Sequence, residues 1–151
     1  MENKRIKILD GTIEMAIRLL CIMRGNNTMM NVEQLIIYDY FTMFPADADP
    51  TKVNLHPSTS FRSCSYIGEY NTINSSLHLL LTKKLIELKI FESEAKYGLT
   101  KLGELFIDSI DTEYMIRLRE SVKWVCAFFK GYTIDKLNSF VQTHIENWYF
   151  E

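Results

Sequence analysis

The chain has 151 residues, 47% of them apolar and 24% charged, with 17 Lys and Arg against 19 Asp and Glu. This is the balance of a globular protein long enough to bury one substantial core. The net charge of −2 offers no electrostatic support for a protein that grips DNA unaided. Cys21, Cys64 and Cys126 are widely spaced and form no Cys-x-x-Cys, so they are expected to be free thiols of a reducing compartment. No apolar run approaches the ~20 residues of a membrane span, and Met-Glu-Asn-Lys-Arg does not open a signal peptide. The expected location is the cytoplasm.

Residues 1–9 are a basic-then-apolar lead, expected as a brief strand or a segment docked on the core. Asp10 is placed as the cap of a first helix. Its Ile13, Ala16, Ile17, Leu20 and Cys21 recur at i, i+3, i+4, i+7 and i+8, and Gly25-Asn26-Asn27 ends it by accepting left-handed dihedrals. The next start is Asn31, with Gln34 three residues on, the pattern of a capping box. From Leu35 to Phe44 the sequence is apolar almost all round, as in a helix buried on most sides, and Pro45 stops it. This reads as the central helix. Its one charge in that run, Asp39, is costly unless paired or hydrogen-bonded. The expected role is structural: Asp39 accepts from backbone amides or pairs with Arg62 or His56, and so pins the following loop. No second carboxylate shares its helical face, which argues against a catalytic acid.

Residues 45–68 hold Pro45, Pro50 and Pro57 with several Asp and Ser, show no period, and are expected as a long loop tied to the core through Leu55-His56-Pro57 and Phe61-Arg62. Asn71 or Thr72 is placed as the cap of a third helix with a buried stripe of Ile73, Leu77, Leu80, Leu81, Leu85 and Leu88. Lys89–Ser93 and Lys96–Leu99 flank Glu94-Ala95 as a β-hairpin. Thr100 caps a short fourth helix expected to bury Leu102, Leu105, Phe106 and Ile110. From Asp111 a long helix carries Met115, Leu118, Val122, Val125 and Phe129 on one stripe, with Trp124 and Phe128 on a second. Gly131-Tyr132 breaks it, and Thr133 caps a last helix through Ile134, Leu137, Phe140, Val141, Ile145 and Trp148.

The fold class is therefore mostly α (α+β). Residues 1–110 read as a winged-helix-like domain with a small hairpin wing and the inserted loop 45–68. Residues 111–151 read as a C-terminal helical pair packed on it in one compact unit.

His56, His78 and His144 belong to no metal-ligand spacing, and no nucleophile motif or phosphate-cradling glycine loop is present. The expectation is a non-enzyme without metal or cofactor. The third helix would be the DNA reader of a winged helix. Its polar residues, Asn74, Ser75, Ser76, His78, Thr82, Lys83 and Lys84, follow Gly68-Glu69-Tyr70-Asn71, which carries an acid and no base, a poor match to phosphate.

Several short motifs, in order, resemble the middle component of bacterial ABC-three-component systems, related to the Lamassu-type anti-phage systems. They are Ile17-Arg18-Leu19-Leu20, Leu35-Ile-Ile-Tyr38-Asp39-Tyr40, Asp47, Leu55-His56-Pro57, Phe61-Arg62-Ser63, Leu85 with the hairpin, Tyr114, Leu118-Arg119-Glu120-Ser121, Trp124-Val125, His144-Ile145 and Trp148. Glu69-Tyr70 stands where that family carries a basic pair. The resemblance implies an adaptor without catalysis of its own, bridging an SMC-like ABC ATPase and an effector, often a nuclease, and meeting DNA at most through the complex. The residues expected to matter are Asp39, His56 and Arg62 as loop anchors, and Tyr66, Glu69, Tyr70, Trp124 and Trp148 as partner contacts, since Tyr and Trp are enriched at interfaces. The rival readings are a homodimeric winged-helix transcription regulator and a small hydrolase using His56.

Overall fold

The computed structural model describes the backbone of residues 2–57 and 62–145 and the side chains of 11–57 and 69–145. Six helices and one antiparallel hairpin run in the order α1 (Glu2–Asn26), α2 (Val32–Met43), α3 (Arg62–Thr82), β1 (Ile86–Phe91), β2 (Glu94–Leu99), α4 (Lys101–Ser109), α5 (Glu113–Phe128) and α6 (Ile134–Ile145). The mostly α class with one small hairpin is as expected.

α2 is the central element. Asn31 accepts from the Gln34 amide while the Gln34 side chain accepts from the Asn31 amide, so the capping box forms as read. Every residue from Leu35 to Met43 is buried, because α1, α3, α5 and α6 all pack around this helix. α5 seats Met115, Leu118, Val122, Val125 and Phe129 against α1 and α2. α6 lies on α2, where Phe140 meets Phe41, Phe128 and Phe129. Thr100, Thr112 and Thr133 each accept from an amide three residues on, a local device that fixes where α4, α5 and α6 begin.

Two helix starts differ from the sequence expectation. α1 starts at Glu2, so Asp10 lies inside a helix instead of capping one, and residues 2–10 form no strand. α3 starts at Arg62, so Asn71 and Thr72 are interior positions. The inserted segment accordingly gives way to helix at Arg62, and Arg62 and Tyr66 belong to α3. In both helices a residue with capping chemistry was read as a boundary, yet such residues cost only a few tenths of a kcal/mol inside a helix, by propensity, which tertiary packing overrides.

The hairpin turns at Glu92-Ser93, two residues before the predicted turn, and pairs Ile86 with Leu99 and Phe91 with Glu94 at its ends. Both turn residues have positive φ, 49° and 70°, the dihedrals of a type I′ turn. Asn-Gly normally supplies those dihedrals, so Glu-Ser gave no signal. α3 stops at Thr82 through a Schellman arrangement: Lys84 takes φ 59°, its amide donates to the Leu81 carbonyl, and the Leu85 amide donates to the Leu80 carbonyl. Leu88 therefore sits on β1, half-exposed, and not on the buried stripe of α3. Between α1 and α2, Met30 pairs with Tyr97 as a single antiparallel bridge on the outer side of β2.

The largest correction is α4. Its periodic stripe faces solvent, with Leu102 54%, Leu105 59% and Phe106 41% exposed, while Gly103 and Ile107 are buried. Gly103 decides this. A Cβ there would lie 1.9 Å from the Leu85 carbonyl oxygen, so only glycine lets this face of α4 close on the base of the hairpin.

Candidate functional site

The densest group of polar side chains in the core joins three helices. Arg18 of α1 sits in the apolar run Met15–Met23, and Asp39 of α2 in the apolar run Leu35–Phe44. Packing the two helices face to face brings each charge against the other. The Arg18 guanidinium donates twice, Nε to Asp39 Oδ1 at 2.6 Å and Nη2 to Oδ2 at 3.1 Å, and both side chains are buried. Burial works against the arginine charge, but the field and hydrogen bonds of Asp39 outweigh it and raise the guanidinium pKa. Asp39 thus ties α2 to α1, not to His56 as one expectation had it. The Arg62 side chain lies outside the described residues.

Glu69 of α3 reaches the same place. It is 8% exposed; neither carboxylate oxygen accepts from a described donor, and the protonated carboxyl hydrogen-bonds Asp39. Burial first, and the neighbouring Asp39 charge second, push its carboxyl well above the usual range, with Arg18 pulling the other way. This is the second carboxylate that helical spacing on α2 could not show, because it comes from another helix. Its burial also removes Glu69 from the expected surface contacts. Two carboxyls and one guanidinium in a closed space make a balanced network only when one carboxyl is protonated, which is the state favoured for Glu69.

The loop after α2 is held beside this cluster. The Leu55 and His56 amides both donate to the Met43 carbonyl, at 3.0 and 3.2 Å, and the Ala46 amide donates to Asn54 Oδ1 at 3.0 Å. His56 Nε2 lies 2.8 Å from the Tyr114 hydroxyl of α5, and its ring meets Phe44 edge-on. Burial, then Arg18, lowers the imidazole pKa. A pocket of about 390 Å³ opens next to this pair, lined by Glu14, Ile17, His56, Ile110, Thr112, Tyr114 and Met115. Among the described residues the hydroxyls lining it are those of Thr112 and Tyr114, and no serine or cysteine lines it. Among the described residues no group of three His, Cys, Asp or Glu could hold a metal, and no helix is long and apolar enough to cross a membrane.

The other expected contact residues are dispersed. Tyr70 on α3 is 43% exposed. Trp124 on α5 is half-buried and stacks on Phe128, with the Lys52 ammonium 5.3 Å from its ring centroid. Tyr66 and Trp148 fall outside the residues whose side chains are described. Cys21 is buried and Cys126 half-buried, both without a disulfide. Sequence reasoning missed Arg18 and the bare face of α4. The signal for Arg18 was there: one cation in one apolar helix, one anion in the next.

The chain matches no curated protein and no solved structure. A family model does match, over residues 8–151, and it takes in the Arg18-bearing helix, the loop and all the elements that hold them. On that match the chain belongs to the family of ABC-three component (ABC-3C) system Middle Component 2.

Proposed function

We propose that the protein is a non-catalytic adaptor bridging an SMC-like ABC ATPase and an effector, a nuclease, in a bacterial anti-phage or anti-plasmid complex of the Lamassu-like kind. Its family makes it one component of a multi-component system. The observation that carries the adaptor reading is the α4 stripe: three large apolar residues at helical spacing, bare to solvent, as a surface awaiting a partner would be. The order α1, Met30 bridge, α2, α3, β1, β2 supports a winged-helix-like arrangement, in which the segment between the first two helices pairs with the second wing strand. In this reading DNA is met through the complex, the protein works in the cytoplasm, and Tyr70 and Trp124 are further contact points. Asp39, His56 and Arg62 hold the frame that presents these surfaces.

The test is a pull-down of the tagged chain, co-expressed with the genes encoded beside it, with and without nuclease. Stoichiometric, nuclease-resistant recovery of an SMC-like ATPase is expected. Replacing Leu102 and Leu105 with Lys should reduce that recovery at least about tenfold while leaving folding stability within about 0.5 kcal/mol, as for exposed positions. Recovery of the chain with DNA alone, stripped by nuclease, would overturn the reading in favour of a transcription regulator.

A further inference from the structure

The hairpin has one open edge. Among the described residues β1 pairs only with β2, and every β1 residue after Ile86 is exposed, Ile90 to 65% and Leu88 to 44%. Which backbone groups face that edge follows from the other side of the sheet. Met30 takes both the Tyr97 amide and the Tyr97 carbonyl, at 2.8 and 2.9 Å. Tyr97 therefore gives neither to Leu88, which stands opposite it in register. In an antiparallel ladder such pairs alternate with hydrogen-bonded ones, so the amides and carbonyls of Ile86, Leu88 and Ile90 all point outward. An exposed edge of this kind is a template for another strand, and proteins normally blunt it.

The side chains along the edge say which strand. Ile86-Glu87-Leu88-Lys89-Ile90 is self-complementary about Leu88. We propose that β1 pairs antiparallel with β1 of a second copy of this chain, with Leu88 on the two-fold axis. Leu88 then faces Leu88, and Ile86 faces Ile90, each through outward backbone groups that hydrogen-bond as a pair. Glu87 faces Lys89 of the second copy, twice over, in the non-hydrogen-bonded pairs where side chains come closest. In the single chain Glu87 and Lys89 have each other, 3.6 Å apart on the same strand and largely in water. The alternative register centred on Lys89 sets two lysines face to face, which charge disfavours. Pairing joins the two hairpins into one sheet and brings Leu88 and Ile90 of both copies onto one face. This proposal does not depend on the adaptor reading and leaves the α4 stripe free for a different subunit.

The experiment measures the dimer dissociation constant of the full chain by sedimentation, from about 1 µM to about 300 µM, for the wild type, Glu87→Lys, Lys89→Glu and the double exchange E87K/K89E. These side chains are exposed, so the variants keep the fold. Each single exchange sets like charges opposite each other at two places and should weaken the dimer about tenfold, from the cost of like-charged cross-strand pairs. The double exchange restores opposite charges and should restore the wild-type constant. Amide exchange should show the Leu88 and Ile90 N–H groups gaining protection as concentration rises. A wild type that stays monomeric throughout overturns the proposal. So does a dimer whose constant is the same in all four chains, or protection of these amides only when a different subunit is added.

Discussion

Arg18, Asp39 and Glu69 are ionisable groups closed inside the helical core, while Leu105 and Ile90, on α4 and the hairpin, are apolar and open to water. The two regions depart from the usual partition in opposite directions, and the costs are of different kinds. The buried group is held together by geometry: take away one member and the others are stranded in a low dielectric. The exposed apolar side chains lose nothing further when the chain folds alone, and gain only when something covers them. The first region is expected to answer to stability measurements and the second to association measurements.

The sharpest way to break this contrast is at Asp39. Asp39→Ala leaves the Arg18 charge buried and unpaired and should cost about 3–5 kcal/mol, seen as a drop in melting temperature of roughly 6–20 °C for a chain of this size. Replacing both partners, Arg18→Met with Asp39→Leu, should recover most of the loss, since two apolar groups of similar volume leave no charge behind. If Asp39→Ala alone melts like the wild type, the pair does not join α1 to α2 in solution.

Gly103 separates the regions from the other side. Gly103→Ala forces a methyl against the Leu85 carbonyl and should destabilise by about 1–3 kcal/mol through overpacking. It should also disturb the α4 stripe and so weaken partner recovery, whereas Asp39→Ala at a temperature where it remains folded should not. Denaturant titration and the pull-down, read together, check this. The hairpin turn offers a gain. Glu92 and Ser93 both hold positive φ, so Glu92→Asn with Ser93→Gly should add about 1 kcal/mol by relieving left-handed dihedrals.

What the sequence made legible was local. The Asn31 capping box, the caps at Thr100 and Thr133 and the stripe of α5 are written within a few residues, and each forms as read. The loop at 54–56 was legible as tied down, because a Pro-punctuated segment carrying Leu55 and His56 has something to bury. What failed depends on distant neighbours. The Asp39 partner is 21 residues away on another helix, and a one-dimensional pattern cannot choose among several cations. The period of α4 correctly showed an apolar face, but periodicity does not say whether anything covers that face. The small Gly103 side was the one that found a neighbour.

The finest distinction is inside the buried cluster, at Glu69. Its folded pKa is raised above the ordinary glutamate value of 4.5, so the native state holds its proton more tightly than the unfolded chain does. The contribution is therefore fully present below about 4.5 and is lost as pH rises through the folded pKa, where the buried carboxyl is forced to ionise beside Asp39. Glu69→Gln keeps the shape and removes the titration. Below about pH 4.5, where Glu69 holds its proton in the folded and the unfolded chain alike, the substitution should change stability by less than about 0.5 kcal/mol. With rising pH the wild type should fall below the variant, and the gap between the two melting curves isolates this one group from every other carboxylate. A gap that opens towards acid pH instead would mean that Glu69 is an ion-pair partner of Arg18 in the folded protein. The cluster would then carry a net negative charge, and Arg18→Met with Asp39→Leu would strand Glu69 and fail to rescue.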